Sequence, residues 1–198
     1  MKKSLALVLA LVFVLSIALT ACGTKPEQGG EGTTTEPKVL RLADTEPPNL
    51  DPQLGTDQVS IMITNGILEG LIRVHDGQIL PGMAEKWDIS EDGLTYTFHL
   101  RDAQWSDGKA VTAKDFEYSI LRLLDPATAS EYAFQAHYIL NGEEYNTGKM
   151  TDASQVGVKA LDDKTLEIKL KSPTKYFLAL TGFLSFMPSR QDLVTQYK

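Results

Sequence analysis

Alternating apolar and polar positions mark one strand clearly in this chain. The stretch LTYTFHL, residues 94–100, directs four large apolar side chains to one side and polar side chains to the other. This alternation has the period of a half-buried β-strand. Its apolar side consists of Leu94, Tyr96, Phe98 and Leu100. Asp-Gly pairs at 92–93 and 107–108 are turn signals, so the strand is expected to be bounded on both sides.

A helical period follows in the stretch VTAKDFEYSILRLLDP, residues 111–126. Thr112 and Asp115 have the spacing of a capping box, which starts a helix, and Pro126 marks the point where the helix must stop. The apolar stripe between these signals consists of Phe116, Ile120, Leu123 and Leu124. The start, the stripe and the stop agree, so this segment is predicted to be a helix.

Weaker patterns complete the set of predicted elements. Two hairpins are expected, one from 72–75 and 78–80 around Asp76-Gly77, and one from 156–161 and 165–170 around Asp162-Asp163. A strand is expected at 39–43 and helices at 58–71, 175–186 and 191–197, whereas proline and glycine make 46–55 irregular. The predicted fold class is therefore α/β, of the mixed α+β kind.

The first 21 residues have the layout of a secretory signal peptide. Two lysines precede an unbroken, mostly aliphatic run from Leu5 to Leu19, and small residues follow it. A membrane-spanning anchor is the alternative, because the run carries no charge. As a helix the run would be roughly 22 Å long, shorter than the roughly 30 Å hydrocarbon layer of a bilayer. Cleavage of residues 1–21 is therefore favoured.

Cys22 is the only cysteine in the chain and ends the stretch Leu-Thr-Ala-Cys. This stretch resembles a bacterial lipobox, in which the cysteine sulfur is lipidated and the peptide is cut just before it. One thiol cannot form an internal disulfide, whereas two or more acyl chains suffice for stable membrane attachment. We therefore expect Cys22 to be a lipidation site and the polar, glycine-bearing segment 22–38 to be a flexible linker.

Charge and missing motifs limit the classes of function. A formal net charge of -7 argues against a nucleic-acid partner. The three histidines, His75, His99 and His137, are scattered along the chain. The sequence contains no nucleophile elbow, phosphate-binding loop, dinucleotide fingerprint, zinc-protease motif or paired-cysteine motif. It therefore predicts no catalytic residue, no metal site and no cofactor, and we expect a protein that is not an enzyme.

The stretch from Pro81 to Pro126 resembles the hallmark region of family 5 of the extracellular solute-binding proteins, the peptide- and nickel-type receptors of ABC importers. The matching pieces are AEKW at 84–87, SEDGLTYTF at 90–98, LR at 100–101, WSDG at 105–108, VTA at 111–113, Asp115 and YS at 118–119. NLDP at 49–52 and LEGL at 68–71 also fit. Downstream, TAS at 128–130, YA at 132–133 and VGVKA at 156–160 look like the oligopeptide-binding branch.

The resemblance implies a two-lobed fold of the periplasmic-binding-protein-like type II (cluster C), which closes around its ligand. In the oligopeptide branch the peptide lies extended and pairs its main chain with protein backbone. Carried onto this sequence, the pairing segment falls at Thr56, Asp57 and Gln58, and Tyr132 matches an aromatic residue that reaches the ligand. Some oligopeptide binders have an acidic residue in place of Thr56. The alternatives are an ordinary loop at 56–58 and a core-filling role for Tyr132.

The function implied by the resemblance is that of a monomeric, lipid-anchored receptor subunit on the outer side of the cytoplasmic membrane. This subunit would capture short peptides and deliver them to ABC permease subunits and their ATPases. Three alternatives stay open. The same scaffold could bind a nickel chelate, haem or an oligosaccharide, it could act as a receptor for peptide pheromones, or the chain could be an anchored hydrolase.

Members of this family are longer than the 198 residues of this chain. Residues 39–198 are therefore expected to be the N-terminal part of the family domain, with the start of lobe I and most of the inserted smaller subdomain. The groups that hold the peptide termini would lie in the missing part. We predict that this polypeptide alone binds short peptides weakly or not at all. Micromolar affinity in a calorimetric titration would contradict that prediction.

Overall fold

The computed structural model of the protein describes residues 45–197. They belong to a unit that runs from Ala43 to Lys198. The expected signal peptide at 1–21, the expected lipidation site Cys22 with its linker at 22–38, and the strand expected at 39–43 lie outside the described residues.

The described chain contains both helices and strands, with four strands in succession after the first helix. The helices are α1 (Gln58–Ile67), α2 (Ala113–Leu124), α3 (Gly142–Asn146), α4 (Phe177–Leu180) and α5 (Gln191–Gln196). The strands are β1 (Ile72–His75), β2 (Gln78–Pro81), β3 (Ala84–Ile89), β4 (Thr95–Leu100), β5 (Val158–Ala160) and β6 (Thr165–Lys169). Single 3-10 turns occupy Pro126–Thr128, Ala133–Ala136, Ala153–Gln155 and Leu184–Phe186. The predicted mixed class is confirmed.

The strands form two antiparallel sheets. β1 and β2 make a separate hairpin, and the other four strands lie in the order β3-β4-β6-β5. Asp76 and Gly77 have φ angles of 49° and 72°, which a two-residue hairpin turn of type I′ requires. Both predicted hairpins are confirmed, although β5 is shorter than the strand predicted at 156–161.

One face of the four-stranded sheet carries the hydrophobic core. In β4 the residues Tyr96, Phe98 and Leu100 are buried, as the alternation predicts. Leu166 and Ile168 of β6 are buried in the same cluster. The predicted apolar stripe of α2 is fully buried against them. The capping box at the start of α2 is also formed, because the Thr112 N–H donates to Asp115 Oδ2 at 2.7 Å.

The single buried helix predicted at 175–186 is wrong. The chain forms one turn, α4, and then a 3-10 turn at Leu184–Phe186. Between them the Thr181 hydroxyl donates to the Leu178 carbonyl at 2.8 Å, a local bond that competes with helix continuation. Gly182 packs so closely on β1 that an added Cβ would lie 2.5 Å from Ile72 Cδ1. Packing against a distant strand therefore overrides the local helical pattern.

One helix boundary and one strand also differ from the predictions. Helix α1 ends at Ile67 and not at residue 71, because Leu68 has extended backbone angles while its N–H still bonds to the Thr64 carbonyl. Strand β3 was not predicted at all. Only Ala84 of this edge strand is buried, and an irregular register between Ala84 and Lys86 breaks its alternation. An apolar period of two is therefore absent from its sequence.

We expect Phe98→Ala to lower the free energy of unfolding by about 3–5 kcal/mol, because the change leaves a cavity in the centre of the core. Denaturant unfolding monitored by circular dichroism measures this loss. Phe134→Ala is the matched control, since the Phe134 side chain is 58% exposed and should change stability by less than about 1 kcal/mol. Equal losses in the two variants would contradict the placement of β4.

Candidate functional site

The segment that enters α1 begins with a tight turn at Asp51. The Asp51 carbonyl accepts hydrogen bonds from the N–H groups of Leu54 (3.0 Å) and Gly55 (2.8 Å). The Asp51 carboxylate accepts a further bond from the Gln53 N–H at 3.0 Å. Asparagine and aspartate side chains commonly fix turns in this way. The irregular structure predicted for 46–55 is thus confirmed, and it is held by hydrogen bonds.

Asp57 caps the helix α1. Its backbone is extended, and its carboxylate oxygen Oδ1 accepts a hydrogen bond from the Ser60 N–H at 2.9 Å. Hydrogen bonds from the side chain and the backbone of Ser60 lower the pKa of Asp57 below its ordinary value, because they favour the charged carboxylate. The residue therefore has a structural role that the sequence analysis did not assign to it.

Thr56 and Gln58 are the exposed members of the predicted pairing segment. Both side chains face solvent, and Gln58 is the first residue of α1. Among residues 45–197, neither the N–H nor the C=O of Thr56 has a hydrogen-bond partner. An unpaired N–H and C=O on an exposed backbone are the groups that an added β-strand uses.

Tyr132 lies beside two other aromatic rings. Its ring meets the Phe183 ring edge-on, with a centroid distance of 5.1 Å and an interplanar angle of 72°. The Phe134 ring is 6.2 Å away. Tyr132 is partly buried and packs against the hydrophobic core. The side chain therefore packs on the core and on Phe183 and is still partly exposed.

A buried side-chain amide joins the segment before α1 to the rest of the fold. Gln53 is only 1% exposed. Its Oε1 accepts from Arg122 Nη1 and from Ser189 Oγ, each at 2.7 Å. Its Nε2 donates to the carbonyls of Ser185 (3.2 Å) and Met187 (3.0 Å). The amide therefore uses its whole hydrogen-bonding capacity.

Arg122 supplies the charge in this network. It is 8% exposed, and its Nη1 donates to Asp51 Oδ1 at 2.7 Å while Nη2 bonds to the other carboxylate oxygen. Burial alone lowers the pKa of Arg122, but the hydrogen bonds and the charge of Asp51 outweigh it and the net shift raises the pKa. The guanidinium stays charged and paired, as a buried cation must be. Among the three nitrogens of its guanidinium group, only Nε lacks a hydrogen-bond partner within residues 45–197.

The network brings the predicted site residues into one region. Ser130 Oγ donates to the Gln53 carbonyl at 2.5 Å, and Ser130 lies two residues before Tyr132. Gly55 lies against Leu184, the residue after Phe183, since an added Cβ would be 3.2 Å from Leu184 Cδ2. Within the described range, no hydrogen bond or ring contact joins Tyr132 to residues 56–58. The hydrogen bond between Ser130 and Gln53 connects the two segments.

Sequence reasoning missed the members of this network. One signal was present in α2, where Asp115, Ser119 and Arg122 follow helical spacing beside the apolar stripe. In the structure the Ser119 hydroxyl donates to the Asp115 carbonyl at 2.7 Å and accepts from the Ser189 N–H at 2.6 Å. A polar stripe next to an apolar one, with an arginine inside LRLL, indicates a buried partner for that arginine.

A cleft of about 690 Å³ lies elsewhere, and none of the four predicted ligand-binding residues lines it. Its rim carries Arg73 and Arg101, which both pair with Glu69, at 2.5 Å and 3.1 Å. The carboxylate of Glu69 thus offsets part of the positive charge of the two arginines. Both arginine side chains are largely exposed. Exposed ion pairs contribute little, and we assign no ligand to this cleft.

The described residues also bear on metals and membranes. Between residues 45 and 197, no group of three or more His, Cys, Asp or Glu side chains is arranged to hold a metal ion. Within the same range, no helix is long and apolar enough to cross a bilayer.

A family model for bacterial extracellular solute-binding proteins, family 5 Middle, matches residues 78–196. The oligopeptide-binding protein OppA of Bacillus subtilis is 41% identical to this chain, over 100% of the chain and 37% of its own length. The chain therefore belongs to family 5 of the extracellular solute-binding proteins.

Solved structures support the same assignment. The substrate-binding domain of an oligopeptide ABC transporter from Bacillus anthracis superposes with a TM-score of 0.76 and 42% identity, covering 80% of this chain and 31% of that one. The pheromone receptor PrgZ superposes with a TM-score of 0.74 and 37% identity, covering 78% of this chain and 31% of that one. The chain thus has part of the type II periplasmic-binding-protein-like fold and spans about a third of the length of these relatives.

We expect the cap at Asp57 to make stability depend on pH. Its carboxylate stabilises the fold above the ordinary pKa of aspartate, and this stabilisation is lost as the pH falls through the lowered pKa of the folded state. Asp57→Asn keeps an oxygen acceptor that does not titrate. Urea unfolding from pH 7 down to pH 2 should therefore show wild type losing stability relative to Asp57→Asn.

Asp57→Ala is the companion variant, because alanine offers no acceptor to the Ser60 N–H. Its urea midpoint should lie below that of Asp57→Asn at every pH. Wild type and Asp57→Asn that keep a constant difference down to pH 2 would show that Asp57 does not act as a charged cap.

Proposed function

We propose that this chain is part of the lipid-anchored substrate-binding component of an ABC importer, which captures short peptides outside the cytoplasmic membrane. The observation that carries the proposal is that Thr56, an exposed residue at the entrance to α1, has a backbone without a hydrogen-bond partner among residues 45–197. The oligopeptide-binding name of the Bacillus subtilis relative supports a peptide as the solute. Delivery to the permease subunits and their ATPases follows as the role of such a component.

The proposed site holds a peptide by its main chain. The N–H and C=O of Thr56 pair with an extended peptide, as in the addition of a β-strand, and this pairing tolerates different peptide side chains. Gln58 adds an exposed amide beside the segment, and Asp57 keeps the backbone extended through its cap. Tyr132 offers a ring edge as an apolar wall. Capture of this kind involves no covalent step, so we propose no enzymatic activity.

Lipidation of Cys22 is the proposed means of membrane attachment. The lone cysteine and the Leu-Thr-Ala-Cys stretch support it. In this arrangement residues 22–38 form the linker, residues 39–198 form the binding part, and the protein works as a monomer on the outer side of the membrane. If the cell has an outer membrane, that location is the periplasm.

A peptide-pheromone receptor is the second candidate function, and the similarity to the pheromone receptor PrgZ favours it. Both functions use a peptide ligand, so a binding measurement cannot separate them. Deletion of the gene should abolish uptake of a labelled tripeptide if the protein serves nutrition. Loss of a pheromone response with unchanged uptake would support the receptor function.

We expect millimolar tri-alanine to shift the amide NMR signals of Thr56 and its neighbours in this chain. The matched control is tri-alanine with N-methylated peptide bonds, which has the same side chains but lacks the N–H donors for pairing. The N-methylated peptide should cause clearly smaller shifts at these positions, because it cannot donate to the Thr56 carbonyl although its own carbonyls still accept from the Thr56 N–H. Equal shifts with both peptides, or shifts only with maltotriose, haem or a nickel chelate, would contradict backbone capture of a peptide.

We expect the protein expressed with its leader in a bacterium to partition into the detergent phase of Triton X-114 and to lack a thiol that reacts with maleimide. Cys22→Ser should partition into the aqueous phase, because it cannot be lipidated. Since Cys22 is the only cysteine, the thiol measurement reports on it alone. A free thiol in wild type of unprocessed mass would contradict lipidation.

A further inference from the structure

Three segments that lie outside the α-helices and strands meet at Gln53, two of them through its backbone carbonyl or side-chain amide. They are the turn at 51–57, the stretch at 128–132 before Ala133–Ala136, and the stretch at 183–190. The first carries Thr56, the second ends in Tyr132, and the third begins with the Phe183 ring that Tyr132 contacts. The candidate peptide site therefore depends on how these three segments are held relative to one another.

Side chains make most of the hydrogen bonds that hold the first segment in place. Within residues 45–197, the backbone–backbone hydrogen bonds of residues 51–55 are local bonds to the Asp51 carbonyl. The bonds from these residues to α2 and to 184–190 run through the side chains of Asp51 and Gln53. The bond to the second segment runs from the Ser130 hydroxyl to the Gln53 carbonyl.

The groups that hold the turn are polar although they are buried. Buried polar groups cost free energy unless every partner is in place. Gln53 is 1% exposed, and Arg122 and Ser189 are each 8% exposed, with distances of 2.7 Å between the bonded atoms. Such bonds have a fixed direction, whereas apolar packing does not. A directional network therefore specifies one position for the turn.

We propose that Gln53, held by Arg122, is a positioning residue of the peptide site. Its amide fixes the turn at 51–57 relative to Tyr132, so that the backbone of Thr56 stays exposed and at a constant distance from the aromatic wall. Gln53 itself does not touch the peptide. The consequence for binding rests on the function proposed above, whereas the coupling between the two segments does not.

The test uses hydrogen exchange of the full 198-residue chain, followed by mass spectrometry. Gln53→Met keeps the length of the side chain and removes its four hydrogen bonds. Ser130→Ala is a milder variant that removes only the bond to the Gln53 carbonyl. Asn146→Leu is the matched control, because Asn146 also bridges two partners, the Leu124 carbonyl at 3.0 Å and His137 at 2.9 Å, and neither partner belongs to the three segments.

We expect exchange to rise roughly tenfold in both 54–60 and 130–136 in Gln53→Met, the factor that corresponds to the loss of a net hydrogen-bond contribution. Ser130→Ala should give a smaller rise in the same two segments. Exchange in β4 should stay unchanged in both variants. Asn146→Leu should leave 54–60 unchanged although it lowers stability.

A uniform rise across β4 and both segments would overturn the proposal, because Gln53 would then act on overall stability alone. A rise in only one of the two segments would also overturn it, since the segments would not be coupled. The amide shift caused by tri-alanine in wild type separates the two proposals. Its absence would contradict a peptide contact at Thr56 in this 198-residue chain, whereas the paired rise in exchange would still show that Gln53 positions the two segments.

Discussion

The buried charge pair between Arg122 and Asp51, together with the amide of Gln53, is the interaction on which the arrangement of the candidate site depends. An arginine that is 8% exposed is costly to bury unless a carboxylate and further acceptors surround it. Here the carboxylate comes from the turn before α1, and the acceptor comes from Gln53. The helix α2, which the core anchors firmly, thereby determines where that turn lies.

This arrangement explains why the site sits on irregular segments and yet has a defined shape. Loops commonly carry binding residues because a rigid scaffold positions them. The four-stranded sheet and α2 are the scaffold, and the polar network transmits their rigidity to Thr56. Tyr132 is held by packing on the core and on Phe183, and the hydrogen bond from Ser130 to the Gln53 carbonyl links its segment to the turn. In the proposed peptide site, the backbone of Thr56 and the ring of Tyr132 form one wall.

The sequence predicts well those elements whose buried positions recur at a regular spacing within a few residues. Strand β4 and helix α2 show their periods within a few residues, and Asp76-Gly77 has the conformational preference that its turn requires. The single helix predicted at 175–186 fails because Gly182 packs on Ile72, more than one hundred residues earlier in the chain. Edge strand β3 escapes prediction because it buries little. Local patterns contain no information about such distant contacts.

The same reasoning applies to the site. The resemblance proposed Thr56, Asp57, Gln58 and Tyr132 as ligand-binding residues. It could not show that Asp57 caps a helix or that the Thr56 backbone lacks a partner among residues 45–197. Gln53 looked like part of a proline- and glycine-rich loop, and only the fold reveals its contacts with residues 69 and 136 positions later in the sequence. A buried polar network exists only in the folded chain, because most of its hydrogen bonds join residues that are far apart in the sequence.

Photo-crosslinking with a tripeptide that carries a diazirine-bearing leucine tests the central claim most directly. The account predicts that the crosslinked residues, mapped by mass spectrometry, fall within 54–60 and 130–136, and that an excess of tri-alanine suppresses them. Crosslinks concentrated at 65–73 and 101–106, along the cleft of about 690 Å³, would contradict it.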